Sequence, residues 1–560
     1  MAEDVRFNNV AIHQSGTIFA FNFSMSVYLK LIMVTLCRLI ILCCFYLATL
    51  EAWAEEEAPK KFEFTINTFA VEGESLANIL SDEEISAFFK PYQNKSYDLK
   101  DLQSVSKTFE QLIRDQGYAF YRVIIPAQSL TSGEVKLKVI AFSVGNINVQ
   151  GNESFSTARI LDALPTLKKG TLPNTRSLAS YVKVANKHPT KQLQLTFKEG
   201  ETEDTIDANI KVTEQPRPYQ LSLSFNNTGS DKSGEYRLSG GVQYSNLWGL
   251  DHIINASYTL PPDHADTIEQ YGGTYALPIY PLKGWLNMYY AWSGTDNGVV
   301  ATDLSITGAG EMMGIHYQQF LPKIEKYEHN LDIGIDSKHF INDIQFKKVQ
   351  IGNNVRSLPL SISYKAEYPF EDFRSGYFIQ WATNTGWGAD NTNALYQKSR
   401  SSSKADWALF RYGLNLSTSF DDWIITTSLS AQYTDQPLIA GEQIGIGGSF
   451  DVRGYEQRET GADSGQIAKV ELTSPAWEKF NAFVFYDYGH GSKENPLQGE
   501  LKEWQLSGTG IGLKWQWQEY ISSSFTFATA LEDAKTTHLE DANTTHAGNN
   551  RILMNVSVRY

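Results

Sequence analysis

The residues best placed for coupled chemistry are Arg453 and Asp487. Arg453 lies in a Gly-rich stretch as part of Val452, Arg453, Gly454 and Tyr455. Asp487 lies in the run Phe485, Tyr486, Asp487, Tyr488, Gly489. As an extended strand, that run puts Val484, Tyr486 and Tyr488 on one face. Phe483, Phe485, Asp487 and Gly489 fall on the other. If the first face meets lipid, Asp487 points into an enclosed lumen. A lone carboxylate there is costly unless it is paired. Arg453, on a flexible loop, has the reach to pair with it. The chemistry predicted is a structural ion pair that tucks a loop inside a barrel. The alternative is that Arg453 is a plain surface loop residue.

Other candidate chemistry is weaker. The scattered Ser, His and Asp residues form no recognisable triad. Gly508, Gly510 and Gly512 sit in a β segment with no helix after them, so they are no dinucleotide loop. They are expected to permit close packing against the tucked loop. His188 beside Pro189 reads as structural, and Asp263, His264, Asp266, Glu532 and Asp533 as solvated loop charges. All three cysteines, Cys37, Cys43 and Cys44, precede residue 55. The rest of the chain therefore has no disulfide, thiolate zinc site or Cys nucleophile. No catalytic, metal or cofactor site is predicted. The net charge of -15 argues against nucleic acid as partner.

The N-terminus sets the compartment. Basic Lys30 and Arg38, an apolar stretch over 39–50 and the small-x-small end Ala52, Trp53, Ala54 make a signal-peptide pattern. A signal anchor is the alternative. Residues 1–54 are read as leader, with Met25 a plausible true start. They carry Glu3, Asp4 and Glu51 against Arg6, Lys30 and Arg38, so the remainder keeps the whole -15.

Two small mixed domains are expected next. In the first, residues 62–69 alternate as a strand, 76–89 and 99–116 read as helices, and 119–125 and 134–142 as strands. Leu102, Val105, Phe109, Leu112 and Ile113 share one face of the second helix, and Gly117 is its expected C-cap. The second domain repeats the order: a strand at 146–150, helices at 156–164 and 175–186, strands at 192–198 and 205–212. Pro216, Arg217 and Pro218 form a stiff linker.

From Tyr219 the helical period disappears. Leu331, Ile333 and Ile335 alternate with Asp332, Gly334 and Asp336, and similar runs recur to the end. Strand starts fall near 219, 236, 252, 270, 284, 312, 329, 358, 376, 407, 423, 466, 481, 506, 521 and 551. About 16 strands, joined by alternating short and long connections, predict a transmembrane antiparallel β-barrel. Aromatic content of 13% suits interfacial girdles. Arg453 then lies in the sixth outer loop and Asp487 in the thirteenth strand. The final run alternates Ile552, Met554, Val556, Val558 and Tyr560 with polar residues. Ending on aromatic Tyr560 suits recognition by a barrel-assembly machinery.

These features together resemble the outer-membrane transporters of two-partner secretion, which export haemolysins and filamentous-haemagglutinin-like adhesins. The similarity covers about residues 62–560. Tyr181, Asn186, Lys187, His188, Pro189, Phe197, Glu199, Gly200, Val212 and Pro216 resemble the family's polypeptide-transport-associated (POTRA) domain. Residues 246–252 resemble its first periplasmic turn. Val452, Arg453, Gly454 and Tyr455 with Phe485, Asp487 and Gly489 match the loop and strand motifs of the superfamily. The resemblance implies POTRA domains at 62–141 and 142–214, then an outer-membrane barrel at 217–560 with an inward-folded sixth loop at about 436–465. It implies a Gram-negative outer-membrane location with the POTRA domains in the periplasm, lipid around the barrel, and no enzyme activity. The POTRA domains would capture the amino-terminal secretion domain of an unfolded secreted passenger, which the barrel would export without ATP. An insertion factor of the same superfamily is the alternative. The family often has a plug helix; only seven residues, 55–61, separate the expected cleavage point from Phe62, so a plug is expected to be missing.

Overall fold

The computed structural model describes residues 63–73, 76–229, 234–265, 269–294, 298–301, 304–306, 310–341, 345–346, 349–350, 353–370, 373–535 and 544–560. The leader, Met25, the cysteines and the span expected to lack a plug lie outside these residues. The chain divides into two units. Among the described residues, the smaller gathers 63–70, 89–105 and 127–135, and the larger holds the rest.

In the smaller unit, Phe64–Ile66 pairs antiparallel with Lys95–Tyr97. The single strand expected over 62–69 is broken at Asn67. Its amide donates to the Gly133 carbonyl at 2.7 Å, so the ladder cannot continue. The strand resumes as Thr68–Glu72. The strand Lys95–Tyr97 is too short to show a period, which is why the sequence did not reveal it. Phe69 stacks on Phe89 with ring centroids 4.9 Å apart.

The larger unit begins by correcting the helix expected over 76–89. It splits into a 3-10 turn, Leu76–Asn78, and a helix, Asp82–Phe89. Ser81 starts the helix with a reciprocal cap. The Glu84 amide donates to its Oγ at 3.2 Å, and the Ser81 amide donates to Glu84 Oε2 at 2.8 Å. The helix Leu99–Asp115 belongs to this unit from Ser106 on and is ended by Gly117 at φ 94°. Its last carbonyls would be orphaned. The following helix, Thr175–Ala185, supplies partners from its first turn: Thr175 N to Gly117 O at 2.8 Å and Arg176 Nη2 to Asp115 O at 2.6 Å. Strand Thr205–Glu214 is the centre of a three-stranded sheet, parallel to Ser143–Gln150 and antiparallel to Lys191–Glu199. Leu178, Tyr181, Val184, Leu193, Ile210 and Val212 fill the core beneath it.

The same unit continues as a closed barrel of sixteen strands among the described residues. They are β1 (Tyr219–Asn226), β2 (Arg237–Leu247), β3 (His252–Leu260), β4 (Gln270–Ile279), β5 (Gly284–Ser293) and β6 (Gly310–Phe320). Next come β7 (Glu328–Phe340), β8 (Pro359–Pro369), β9 (Phe373–Asn384), β10 (Ala408–Phe420) and β11 (Trp423–Tyr433). The last are β12 (Ser464–Thr473), β13 (Phe480–Ser492), β14 (Glu503–Trp517), β15 (Ile521–Ala530) and β16 (Asn550–Arg559). Closure leaves no unpaired edge, which a strand surrounded by lipid requires. The outward face carries exposed Leu221, Ile254, Ile333, Val484, Tyr486, Ile511 and Phe525, while Asp332, Phe485 and Asp487 are buried inside. The turn between β10 and β11 is Asp421 and Asp422 at φ 46° and 64°, the two left-handed residues a tight hairpin needs.

The seam where β16 meets β1 is short, pairing Asn555–Arg559 with Ser222–Asn226. Asn227 extends it with its amide group, donating to Ile552 O and accepting from Met554 N, each at 2.7 Å. Beyond that register, Tyr560 and Leu221 exchange backbone hydrogen bonds at 2.9 Å, and Arg217 stacks 4.2 Å over the Tyr560 ring.

The loop between β11 and β12 turns back onto the inner wall. Its stem is a short hairpin, Ile444–Ile446 with Thr460–Ala462. Ile446, Val452, Tyr455 and Ala462 pack on Ile467, Trp504, Leu506 and Ala530 of the wall. Glycine makes this approach possible at two wall positions. A Cβ at Gly508 would lie 2.0 Å from the Arg453 carbonyl oxygen, and one at Gly489 would lie 2.5 Å from Ile446 Cγ2. Gly510 and Gly512 do something else. Added Cβ atoms there would strike the Phe485 and Phe483 rings at 2.8 and 2.3 Å, so these glycines seat the wall's own aromatics rather than the loop.

Gly508→Ala is expected to unseat the loop, with an overpacking cost of about 1–3 kcal/mol. The temperature at which the barrel loses its compact electrophoretic form should fall. Gly240→Ala, where no atom lies within 4 Å of the added Cβ, should leave that temperature unchanged. Equal temperatures for Gly508→Ala and the parent chain would show that the loop does not rest on this wall.

Candidate functional site

β13 delivers Asp487 to the lumen because its neighbours Tyr486 and Tyr488 take the opposite phase. Asp487 is fully buried, facing Lys469 of β12 and Gly508 of β14 in register. Gly508 leaves the gap that the loop tip fills. Three donors converge from one residue: Arg453 N at 3.1 Å and Nε at 2.7 Å to Oδ2, and Nη2 at 2.8 Å to Oδ1. The Nε and Nη2 bonds form the planar two-point match that Lys could not make.

Arg453 has two further neighbours. Its Nη1 donates to Glu471 Oε2 of β12 at 2.8 Å. Its guanidinium carbon stacks 3.4 Å over the Phe485 ring. Glu471 in turn accepts from Lys514 of β14 at 2.5 Å. Two cations therefore meet two carboxylates, so the cluster adds no net charge to the lumen. The sequence reading had missed Glu471 and Lys514. The signal was present: both are charged residues on inward positions of the two strands that flank β13.

The other motif residues hold the tip in place. Gly454 adopts φ 105°, and a Cβ there would lie 2.8 Å from Ala530 N. Val452 is fully buried and its carbonyl accepts from Gly448 N at 3.1 Å. The Tyr455 hydroxyl lies 3.0 Å from Ser507 O and 2.9 Å from Glu532 O, and accepts from Glu532 N at 3.1 Å. Gly489 is the wall position beneath Ile446 and Val452. Tyr560 is remote, in the seam.

A second buried cluster lies at the opposite end of the barrel, where the small domain meets the turns. Asp251, fully buried at φ 61° after Gly249, receives Lys191 at 2.7 Å and Arg159 Nε at 3.1 Å, and accepts from the Tyr280 hydroxyl. Asn246 donates to Ser154 O at 3.1 Å. The turn residues 246–252 thus clasp the domain 143–214. His188 lies between Phe155 and Trp285 with ring centroids 5.3 and 6.4 Å away. Burial first, then the nearby Lys191 charge, lowers its pKa to about 4, against the opposing Asp251. It is a neutral packing residue, as the sequence had suggested. Asn186 clips strand Lys191–Glu199 by accepting from Leu193 N at 2.6 Å and donating to Leu193 O at 3.0 Å.

Comparison with known proteins places this geometry. The model of the family described as haemolysin secretion/activation protein ShlB/FhaC/HecB matches residues 204–515, and that of the ShlB-type POTRA domain matches 64–141. The chain is 21% identical to the heme/hemopexin transporter protein HuxB of Haemophilus influenzae strain 86-028NP, over 77% of each chain. It is 20% identical to the outer membrane transporter CdiB of Dickeya dadantii strain 3937, over 72% of this chain and 71% of that one. Its fold resembles the solved CdiB from Escherichia coli, with TM-score 0.71, 18% identity, and coverage of 91% of this chain and 92% of the other.

Arg453→Ala should cost more than Asp487→Ala, because it orphans Asp487 and takes one cation from Glu471. For a fully desolvated pair the loss is on the order of 3–5 kcal/mol, and lumen water lowers it. The double variant should lose less than the sum, since each change already orphans the other's partner. Barrel heat-modifiability measured for both singles and the double decides this; additive losses would mean the residues do not act as one lock.

Acid should loosen the domain 143–214 from the turns. His188 titrates near 6.5 when unfolded and near 4 when buried. Stability is then intact above pH 6.5 and falls as pH drops toward 4, where only the open form takes the proton. The protection factors of residues 155–190, their exchange rates referred to the intrinsic rate at each pH, should fall across that window, and His188→Phe should flatten the dependence. Protection factors that stay constant with pH in the parent chain would refute it.

Proposed function

The chain belongs to the haemolysin secretion/activation protein family, the two-partner secretion transporters of the outer membrane, and from that premise we propose how it works. Its POTRA domains capture an unfolded secreted partner through that partner's amino-terminal secretion domain. The partner then threads the barrel extended and folds outside. No ATP is consumed, because folding beyond the membrane makes the passage directional. The partner belongs to the haemolysin and adhesin class of large secreted proteins.

One observation carries this reading. A cavity of about 700 Å3 opens between helix Thr175–Ala185 and the barrel mouth, lined by Lys183, Lys187, Phe320, Tyr377, Phe378 and Asn415. A chain held on the small domain is already at the lumen entrance. Strand Lys191–Glu199 is an edge of its sheet and can accept an added strand. Main-chain pairing tolerates many sequences, while the basic and aromatic lining selects among them. Residues 62–141 and 142–214 serve as the two capture domains, and 217–560 as the pore. The inward loop is its resting obstruction, held by Val452, Arg453, Gly454, Tyr455, Phe485, Asp487 and Gly489. Tyr560, closing the seam, is the residue the assembly machinery reads.

Deleting residues 62–214 should abolish export of the partner while the remaining barrel still inserts and keeps its heat-modifiable form. Normal secretion by the bare barrel would remove the capture role from these domains.

A further inference from the structure

The loop that carries Arg453 is fastened at its stem as well as at its tip. Glu442, in the turn Ala440–Glu442 before the hairpin, has a fully buried side chain. It pairs with Lys338 of β7 at 2.8 Å, accepts from Ser357 Oγ at 2.6 Å, and lies 3.9 Å from Arg411 of β10. Asp463, at the base of the returning strand, is also fully buried. It pairs with Arg400 at 2.5 Å and accepts from the amides of Leu438 at 2.9 Å and Glu494 at 2.8 Å. Arg400 caps helix Asn393–Ser399 in the loop between β9 and β10 and donates on to Leu438 O and Glu494 O at 2.8 and 2.9 Å. Gln432 of β11 donates to the carbonyls of both Glu442 and Asp463, at 3.1 and 3.0 Å.

The two sets differ in their access to water. The side chains of Glu442 and Asp463 are 0% exposed, and those of Arg400 and Lys338 are 9% and 11%. At the tip, Asp487 is 0% exposed, but Arg453 is 12%, Glu471 17% and Lys514 46%. A cavity of about 240 Å3 opens beside Arg453, Glu471 and Lys514. Water reaching that cavity can replace the partners of the tip, whereas both stem carboxylates, Glu442 and Asp463, are closed to solvent, although Arg411 beside Glu442 is 31% exposed. Between stem and tip lie Gly447 and Gly448, at φ 111° and 113°. Two consecutive glycines there form a hinge that other residues would stiffen.

We propose that the loop is a fixed stem with a swinging tip. Lys338–Glu442 and Arg400–Asp463 are positioning pairs that keep the stem hairpin on the wall when the Arg453 lock opens, and the tip turns about Gly447 and Gly448. The loop does not leave the lumen as one body. This holds whatever partner is exported, because it concerns the resting protein alone.

The test reads thiol labelling in the full chain, purified and reconstituted in lipid, with a reporter cysteine at Val452 in the tip or Ile446 in the stem. Both positions are buried. Arg453→Ala should speed labelling at position 452 by about tenfold or more and leave position 446 within about twofold of the parent, since local opening sets the rate. Lys338→Met with Arg400→Met should speed labelling at 446. If that variant fails to fold, Lys338→Met with Glu442→Gln removes one stem pair from both sides, leaving Arg411 its hydrogen bond to Gln432, and should give a smaller rise at 446. Equal acceleration at 446 and 452 in Arg453→Ala would overturn the proposal, since the loop would then leave whole. So would unchanged labelling at 446 in the folded stem variants, or at 452 in Arg453→Ala.

Discussion

A carboxylate shut inside a barrel cannot stay charged without a partner, and Asp487 is such a carboxylate. Every other feature of the loop follows from meeting that need. The partner must be planar and long, hence Arg453 with its two-point match. The loop must come within hydrogen-bonding distance of a wall, hence Gly489 and Gly508 beneath it. Arg453 also reaches a second carboxylate, Glu471, whose charge Lys514 balances. Phe485 adds a ring face to the guanidinium at no cost in charge.

The same principle operates at the other end of the barrel. Asp251 is a buried carboxylate on a turn, and Lys191 and Arg159 come to it from the small domain. A buried carboxylate with two cations specifies one docking geometry, because any shift would strand a charge. The two ends of the barrel are thus set by two buried acids, one fixing the domain 143–214 and one fixing the inward loop. Between them the wall is ordinary alternation, apolar outward and polar inward.

Much of this was legible in the sequence because its signals are local. Period-two alternation with short and long connections located all sixteen barrel strands, and the phase of β13 placed Asp487 inside. The contact of Arg453 with Asp487 followed from cost alone. What stayed hidden depends on distant neighbours. Asn67 breaks its strand because Gly133 takes its amide, and nothing near Asn67 announces that. Glu471 looks like any polar lumen residue until Arg453 arrives from the loop. Lys191 reads as a strand residue, and its burial against Asp251 exists only once the domain meets the turn. Gly510 and Gly512 were tied to the loop by adjacency to Gly508, yet they accommodate Phe485 and Phe483. The helix Asn393–Ser399 lies in a loop whose charge and polarity masked its period.

The direct test of the central interaction is a solid-state magnetic resonance measurement on the intact protein in lipid. Arginine side chains labelled with 15N and aspartate carboxyls labelled with 13C report contacts through dipolar coupling. The paired geometry predicts an Nε-to-carboxyl contact of about 3.5 Å, the separation that a charge-assisted hydrogen bond imposes. That cross-peak should vanish in Asp487→Asn, where the labelled carboxyl is gone. A spectrum unchanged by Asp487→Asn, with no arginine contact assignable to residue 487, would contradict the account.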